Sequence, residues 1–140
     1  MTKSVDENVP HPPCARLVLW GKNLNPQKIT AALALSATES FQRGDQRDHE
    51  TQWPHGVWLL DTQEQVQSLD PIVHIKWLLD KIEPVQAQLA EIIREQALDA
   101  HINVFWVMAA FNQRLILEPG LAKRIAATNL RLELSIFSPD

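Results

Sequence analysis

The stretch His101–Ala110 reads HINVFWVMAA, and both of its alternating faces are apolar. Ile102, Val104, Trp106 and Met108 fall on one side, and Phe105, Val107 and Ala109 on the other. A strand without a polar side has no face to give to water. It belongs inside a sheet with cover on both faces, or in an interface. The rest of the chain must therefore supply flanking strands and covering helices.

Strand signals occur on either side of it. Arg16–Trp20 contains the apolar run LVLW, ended by Gly21. Thr38–Arg43 reads as a second strand and Gly56–Asp61, GVWLLD, as a third. Asp45–His55 between them is polar and without period, so the pair reads as a hairpin with a wide tip. After a turn at Phe111–Gln113, Arg114–Leu117 reads as a returning strand. Arg131–Phe137 closes the chain, with Leu132, Leu134 and Ile136 on one face and Arg131, Glu133 and Ser135 on the other. That alternation implies one wet face.

Helix starts are marked by a repeated device. Asn25–Pro26 and Asp70–Pro71 each place a capping side chain before a proline at the first helical position. The first helix buries Ile29 and Leu33. The second carries Ile72, Ile75, Leu79 and Ile82, and the phase continues through Val85, Leu89 and Ile92. Because that phase survives Pro84, one kinked helix is expected. Pro119–Thr128 forms a short helix with Leu121 and Ile125 inward, ended by Asn129 in the left-handed position with Leu130 packing back. Trp20, Trp58 and Trp106 read as core, Trp77 as flanking the long stripe, and His74 as a boundary histidine.

The expected fold class is α+β: a largely antiparallel sheet with helices packed on one face, in the order β-α-β-β-α-β-β-α-β. The opening and closing strand–helix–strand stretches, Leu17–Phe41 and Leu115–Phe137, suggest a pseudo-repeat of two split βαβ-like halves. Residues 1–14 read as a mobile N-terminal tail, since MTKSVDENVPHPP has little to bury. Residues 15–140 form the single domain, a size that supports a core without staples.

Composition narrows the function classes. A net charge of −4 with no basic cluster argues against a nucleic-acid partner. The N-terminus has no apolar segment of signal-peptide type, and no run is long enough to span a bilayer. A cytoplasmic protein without a membrane partner is expected. The one cysteine, Cys14, forms no internal disulfide and reads as a small residue at a strand start. No glycine-rich phosphate loop and no serine nucleophile elbow is present, so neither a cofactor nor a catalytic residue is expected.

The segment from Arg43 to Trp58 concentrates the remaining chemistry: Arg43, Asp45, Arg47, Asp48, His49, Glu50, Trp53, His55 and Trp58. His49 and His55 with Asp45 or Glu50 have metal-ligand chemistry, in a spacing that matches no ligand motif. Asp45 with Asp48 has the composition of a hydrolytic carboxylate pair, which requires a fixed separation. Trp53, Trp58, Arg43 and Arg47 are residue types enriched at binding hot spots. The competing structural account makes Trp58 core and Trp53 the cover of a sheet edge.

The order of these features resembles the bacterial domain-of-unknown-function 4279 family. The similarity runs through Leu17–Gly21, the Asn25–Pro26 start with Ile29 and Thr30, Gly44–Asp45, Gly56–Val57–Trp58, Ile72–Leu79 and Leu121–Phe137. The chain departs from the family at its end, where Phe137 replaces the frequent tyrosine. The resemblance implies the fold and supplies no catalytic residue. Some members resemble proteins encoded beside bacterial toxins, which implies an immunity or toxin-binding role. The leading expectation is a non-enzymatic module binding a protein or ligand through Arg43, Asp45, Arg47, His49, Trp53, His55 and Trp58, together with the uncovered sheet face. The alternatives are a metal-dependent or carboxylate hydrolase using the same loop, and a structural homodimer; the chain is expected to be a monomer or a homodimer.

Overall fold

The computed structural model describes residues 11–139. Five strands form one sheet: β1 (Cys14–Gly21), β2 (Glu39–Phe41), β3 (Gly56–Asp61), β4 (Asp99–Val107) and β5 (Arg131–Phe137). Four helices accompany them: α1 (Pro26–Leu33), α2 (Pro71–Ile82), α3 (Gln86–Gln96) and α4 (Pro119–Ala127). The α+β expectation holds, and the sheet is antiparallel except at one pair.

Strand order is β2-β3-β1-β4-β5. Leu17 of β1 faces Leu60 on one side and Ile102 on the other. The doubly apolar strand thus lies inside the sheet, between β1 and β5. Both β1 and β2 run antiparallel to the β3 that separates them, so β1-α1-β2 is a split βαβ unit. The β4-α4-β5 unit differs, because its strands are adjacent and parallel.

That pairing explains the one strand that does not form. Arg114–Leu117 is irregular, and Ile116 and Leu117 are exposed. A returning hairpin strand requires a free edge on β4. β1 and β5 occupy both edges, so Arg114–Leu117 instead carries the chain to the start of α4.

All four helices cover the same sheet face. Ala15, Leu17, Leu19, Trp58, Leu60, Ile102 and Val104 share one core with Ile29 and Leu33 of α1, Ile75, Leu78, Leu79 and Ile82 of α2, Leu89 and Ile92 of α3, and Leu121 and Ile125 of α4. Asn25 Oδ1 accepts from the Lys28 amide at 3.2 Å and Asp70 Oδ1 from the Ile72 amide at 2.9 Å, so both caps form as read. Pro84 does more than kink the long helix. A 3-10 turn at Glu83–Val85 separates α2 from α3, and the apolar stripe carries on across it. Asn129 adopts φ 59°, with Leu130 packed against the core.

His74 lies deeper than a boundary position, fully buried, while Trp77 flanks the core with Lys81 over its ring. Cys14 is buried at the start of β1. Part of the expected mobile tail, residues 1–10, falls outside the described residues. Among the described residues no helix is long and apolar enough to cross a membrane.

Candidate functional site

Strand register decides what the sheet face without helices displays among the described residues. Directly opposed residues share a face. Since Leu17 and Leu19 point into the core, Arg16, Val18 and Trp20 point outward. Register then places Val57, Leu59 and Asp61 of β3 beside them, with Asp99, His101, Asn103, Phe105 and Val107 of β4 on the other side. Arg131, Glu133, Ser135 and Phe137 of β5 and Phe41 of β2 complete the face.

The loop between β2 and β3 extends this face at one corner. Gly44, at φ 94°, turns the chain. Its amide donates to the Trp53 carbonyl, and the Trp53 amide donates to the Asp45 carbonyl, both at 2.8 Å. A bridge between Gln46 and Gln52 narrows the hairpin further. Asp48 Oδ1 closes the tip by accepting from the amides of Glu50 at 2.9 Å and Thr51 at 3.0 Å. The Glu50 amide is the main reason its carboxyl sits below the usual carboxylate range. Asp45 Oδ2 accepts from the Gln42 amide at 2.8 Å. Both carboxylates of the hydrolytic reading are thus engaged in holding the turn.

His55 and Trp53 precede β3, and their rings reach Trp20 and Phe41, the two outward aromatics that flank Val57. The Trp53 ring stacks on Phe41, with centroids 4.4 Å apart and planes 19° from parallel. The Arg47 guanidinium sits 4.7 Å from the Trp53 centroid. His55 tilts against Trp20 at 4.9 Å. One row of the face therefore reads Arg47, Trp53, Phe41, His55 and Trp20.

The other sequence-derived candidates separate from this row. Arg43 and His49 are exposed, and no hydrogen bond or ion pair joins their side chains to another described residue. Trp58 lies on the helix-covered face, fully buried, and its Nε1–H donates to Thr30 Oγ1 at 3.1 Å. It is a core residue and leaves the binding set. Among the described residues no group of three or more His, Cys, Asp or Glu side chains could hold a metal ion.

Sequence reading missed a second cluster, on the β4–β5 side of the face. His101 Nδ1 lies 3.7 Å from Asp99 Oδ1, and its Nε2 lies 3.4 Å from Glu133 Oε1. Arg131 Nε meets Glu133 Oε2 at 2.8 Å, and its Nη2 lies 3.5 Å from Asp99 Oδ1. Arg16 of β1 offers a further cation, which touches the Cys14 sulfur at 3.5 Å. Arg16 Nε, His101 Nδ1 and Asp99 Oδ1 are buried without a hydrogen-bond partner, as is Gln96 Nε2 of α3, and such atoms are costly to bury. Parity was the available signal. Arg16 marks the polar side of β1, and counting by two from it turns Trp20 outward. Trp20 is 39% exposed, not core as the run LVLW suggested.

No curated protein and no solved structure matched the chain. The family described as Domain of unknown function (DUF4279) matched across residues 11–138, which includes every strand and helix named above. With that span covered, the chain belongs to the DUF4279 family.

Proposed function

We propose that this protein is a non-enzymatic binding module that holds a protein partner on the open face of its sheet. The observation that carries the reading is the row formed by Arg47, Trp53, Phe41, His55 and Trp20. Flat aromatic area with an arginine above it is the composition of an interface hot spot. Stacking fixes those rings in advance, which lowers the entropy lost on association. The neighbouring Asp99, His101, Glu133, Arg131 and Arg16 supply polar groups that orient a partner. A regulatory or immunity-like role suits such a face, because it requires a durable complex and no bond-making chemistry. A cytoplasmic setting fits the single buried thiol.

The test begins with partners co-purified from the native host, identified and then re-made as purified proteins. Calorimetric titration against Trp53→Ala and Trp20→Ala should show each weakening the complex at least about tenfold, the loss expected of a hot-spot residue. A Glu95→Ala change on the helical side should leave affinity unaltered. Full affinity in both tryptophan variants would remove the open face from the function.

A further inference from the structure

We propose that β5 pairs with the β5 of a second copy, joining two five-stranded sheets edge to edge about a two-fold axis at Leu134. The two sheet edges differ. β2 has three residues, whereas β5 has seven and, among the described residues, pairs only with β4. Sheet edges are commonly blunted by proline, lysine or a short strand. β5, RLELSIF, has neither residue and is not short, and its two charges, Arg131 and Glu133, are confined to its first half and to the side without helices.

Exposed apolar residues gather in the same part of the chain. Among the described residues, six of the nine exposed large hydrophobic side chains lie between Phe111 and Phe137. Leu134 is 43% exposed, Ile136 46% and Phe137 49%. Their positions are out of keeping with the clean wet-and-dry alternation of the sequence, because α4 buries only Leu121 and Ile125 and leaves the outer ridge of β5 open.

Register identifies the occupant as another β5. Opposed residues share a face, so an antiparallel self-pair must be centred on a residue. Centred on Leu134, all seven residues are matched. Leu132 then opposes Ile136 and Leu134 opposes itself, making one apolar ridge on the helical side. On the open side Glu133 opposes Ser135 and Arg131 opposes Phe137, so no like charges meet. Moving the axis to Glu133 sets two carboxylates against each other, which is unfavourable. Moving it to Ser135 loses two of the seven matches. The strand is complementary to itself in one register. Strand pairing alone covers less than a standard interface, so the dimer is expected to dissociate on dilution.

The full chain carrying Cys14→Ser and Leu134→Cys tests both partner and register. Paired residues at the axis lie roughly 4.5–5.5 Å apart at Cα, within disulfide reach. Mild oxidation should cross-link most of the protein as a dimer, while Glu39→Cys on the opposite edge, with Leu134 retained and in the Cys14→Ser background, should not cross-link. Light scattering of the unaltered chain should show mass rising toward a dimer with concentration, and Leu134→Lys should abolish the rise while keeping its circular dichroism. A unaltered chain that stays monomeric at high concentration overturns the proposal, as does a dimer in which Leu134→Cys fails to cross-link. Either result would leave this edge to a different strand-shaped partner.

Discussion

Thr62 Oγ1 lies 2.6 Å from His74 Nδ1, and both residues are fully buried. The chain of bonds extends at each end. The Ala15 amide donates to Thr62 Oγ1 at 3.0 Å, and His74 Nε2 meets the Ser68 carbonyl at 2.7 Å. A carbonyl only accepts, so Nε2 carries the proton. In the neutral ring Nδ1 then accepts the threonine hydroxyl proton. This relay fastens α2 to β1 and to the connector between β3 and α2. His74 is therefore a structural histidine, with both ring nitrogens engaged.

That relay is expected to behave as a unit. His74→Phe leaves the Ser68 carbonyl without its His74 partner and the Thr62 hydroxyl proton without an acceptor and should cost about 3 kcal/mol. Thr62→Val should cost about 2 kcal/mol by stranding the Ala15 amide and Nδ1. Urea unfolding of the double variant should show a loss smaller than the sum, since each change already breaks the shared bond. Additive losses would mean the two side chains act independently.

Two alanines occupy backbone conformations that favour glycine. Ala34 ends α1 at φ 54° and Ala97 ends α3 at φ 55°, and both are exposed. The left-handed region costs a residue with a Cβ roughly 1–2 kcal/mol. Part of that is offset in a glycine variant by a freer unfolded chain. Ala34→Gly and Ala97→Gly should each stabilise by about 0.5–1 kcal/mol, read as higher denaturant midpoints. A drop in midpoint would mean the methyl groups contribute packing.

Arg124 of α4 spans to Asp80 at 2.8 Å and to both oxygens of Glu83, at 2.7 Å and 2.9 Å. Its hydrogen bond holds the Glu83 carboxyl below the ordinary glutamate range. A carboxyl lowered by folding stabilises fully above its unfolded value, and that contribution disappears as pH falls through the folded one. Arg124→Met should therefore destabilise by about 1 kcal/mol or less near neutrality, given how open these groups are to water. The gap between variant and parent should close in acid, and it should narrow in high salt. Chemical melts at neutral and acid pH measure it; a gap that widens on acidification contradicts the assignment.

Much of this fold was legible because local signals agreed. Asn25–Pro26 and Asp70–Pro71 are complete helix starts, and HINVFWVMAA pointed to a central strand or an interface; β4 is interior, but the expected helical cover lies on one face only, and Phe105 and Val107 are on the other. Arg114–Leu117 misled because strand character is a property of a segment, whereas pairing depends on which edges remain free. The site was half legible. Trp53, Arg47 and His55 stood out by residue type, yet Trp58, of the same type, faces the core. The His101, Asp99, Glu133 and Arg131 cluster is assembled from two strands more than twenty residues apart in sequence. Only register brings it together, and register is a tertiary fact.

The central place of β1 has a consequence for how the chain is made. Its partners arrive late in synthesis: Leu17 waits for Leu60 on one side and for Ile102 on the other. Closing such long loops is entropically slow, and a sheet dominated by distant pairings folds more slowly than a helical bundle of equal length. The β2–β3 hairpin is the one strand pair that forms from nearby sequence. A ribosome that has released residues only as far as α2 therefore holds a three-stranded precursor whose β1 edge is still bare. The interval before β4 emerges is when the growing chain shows its longest unpaired strand edge, the kind of surface that invites association with other chains.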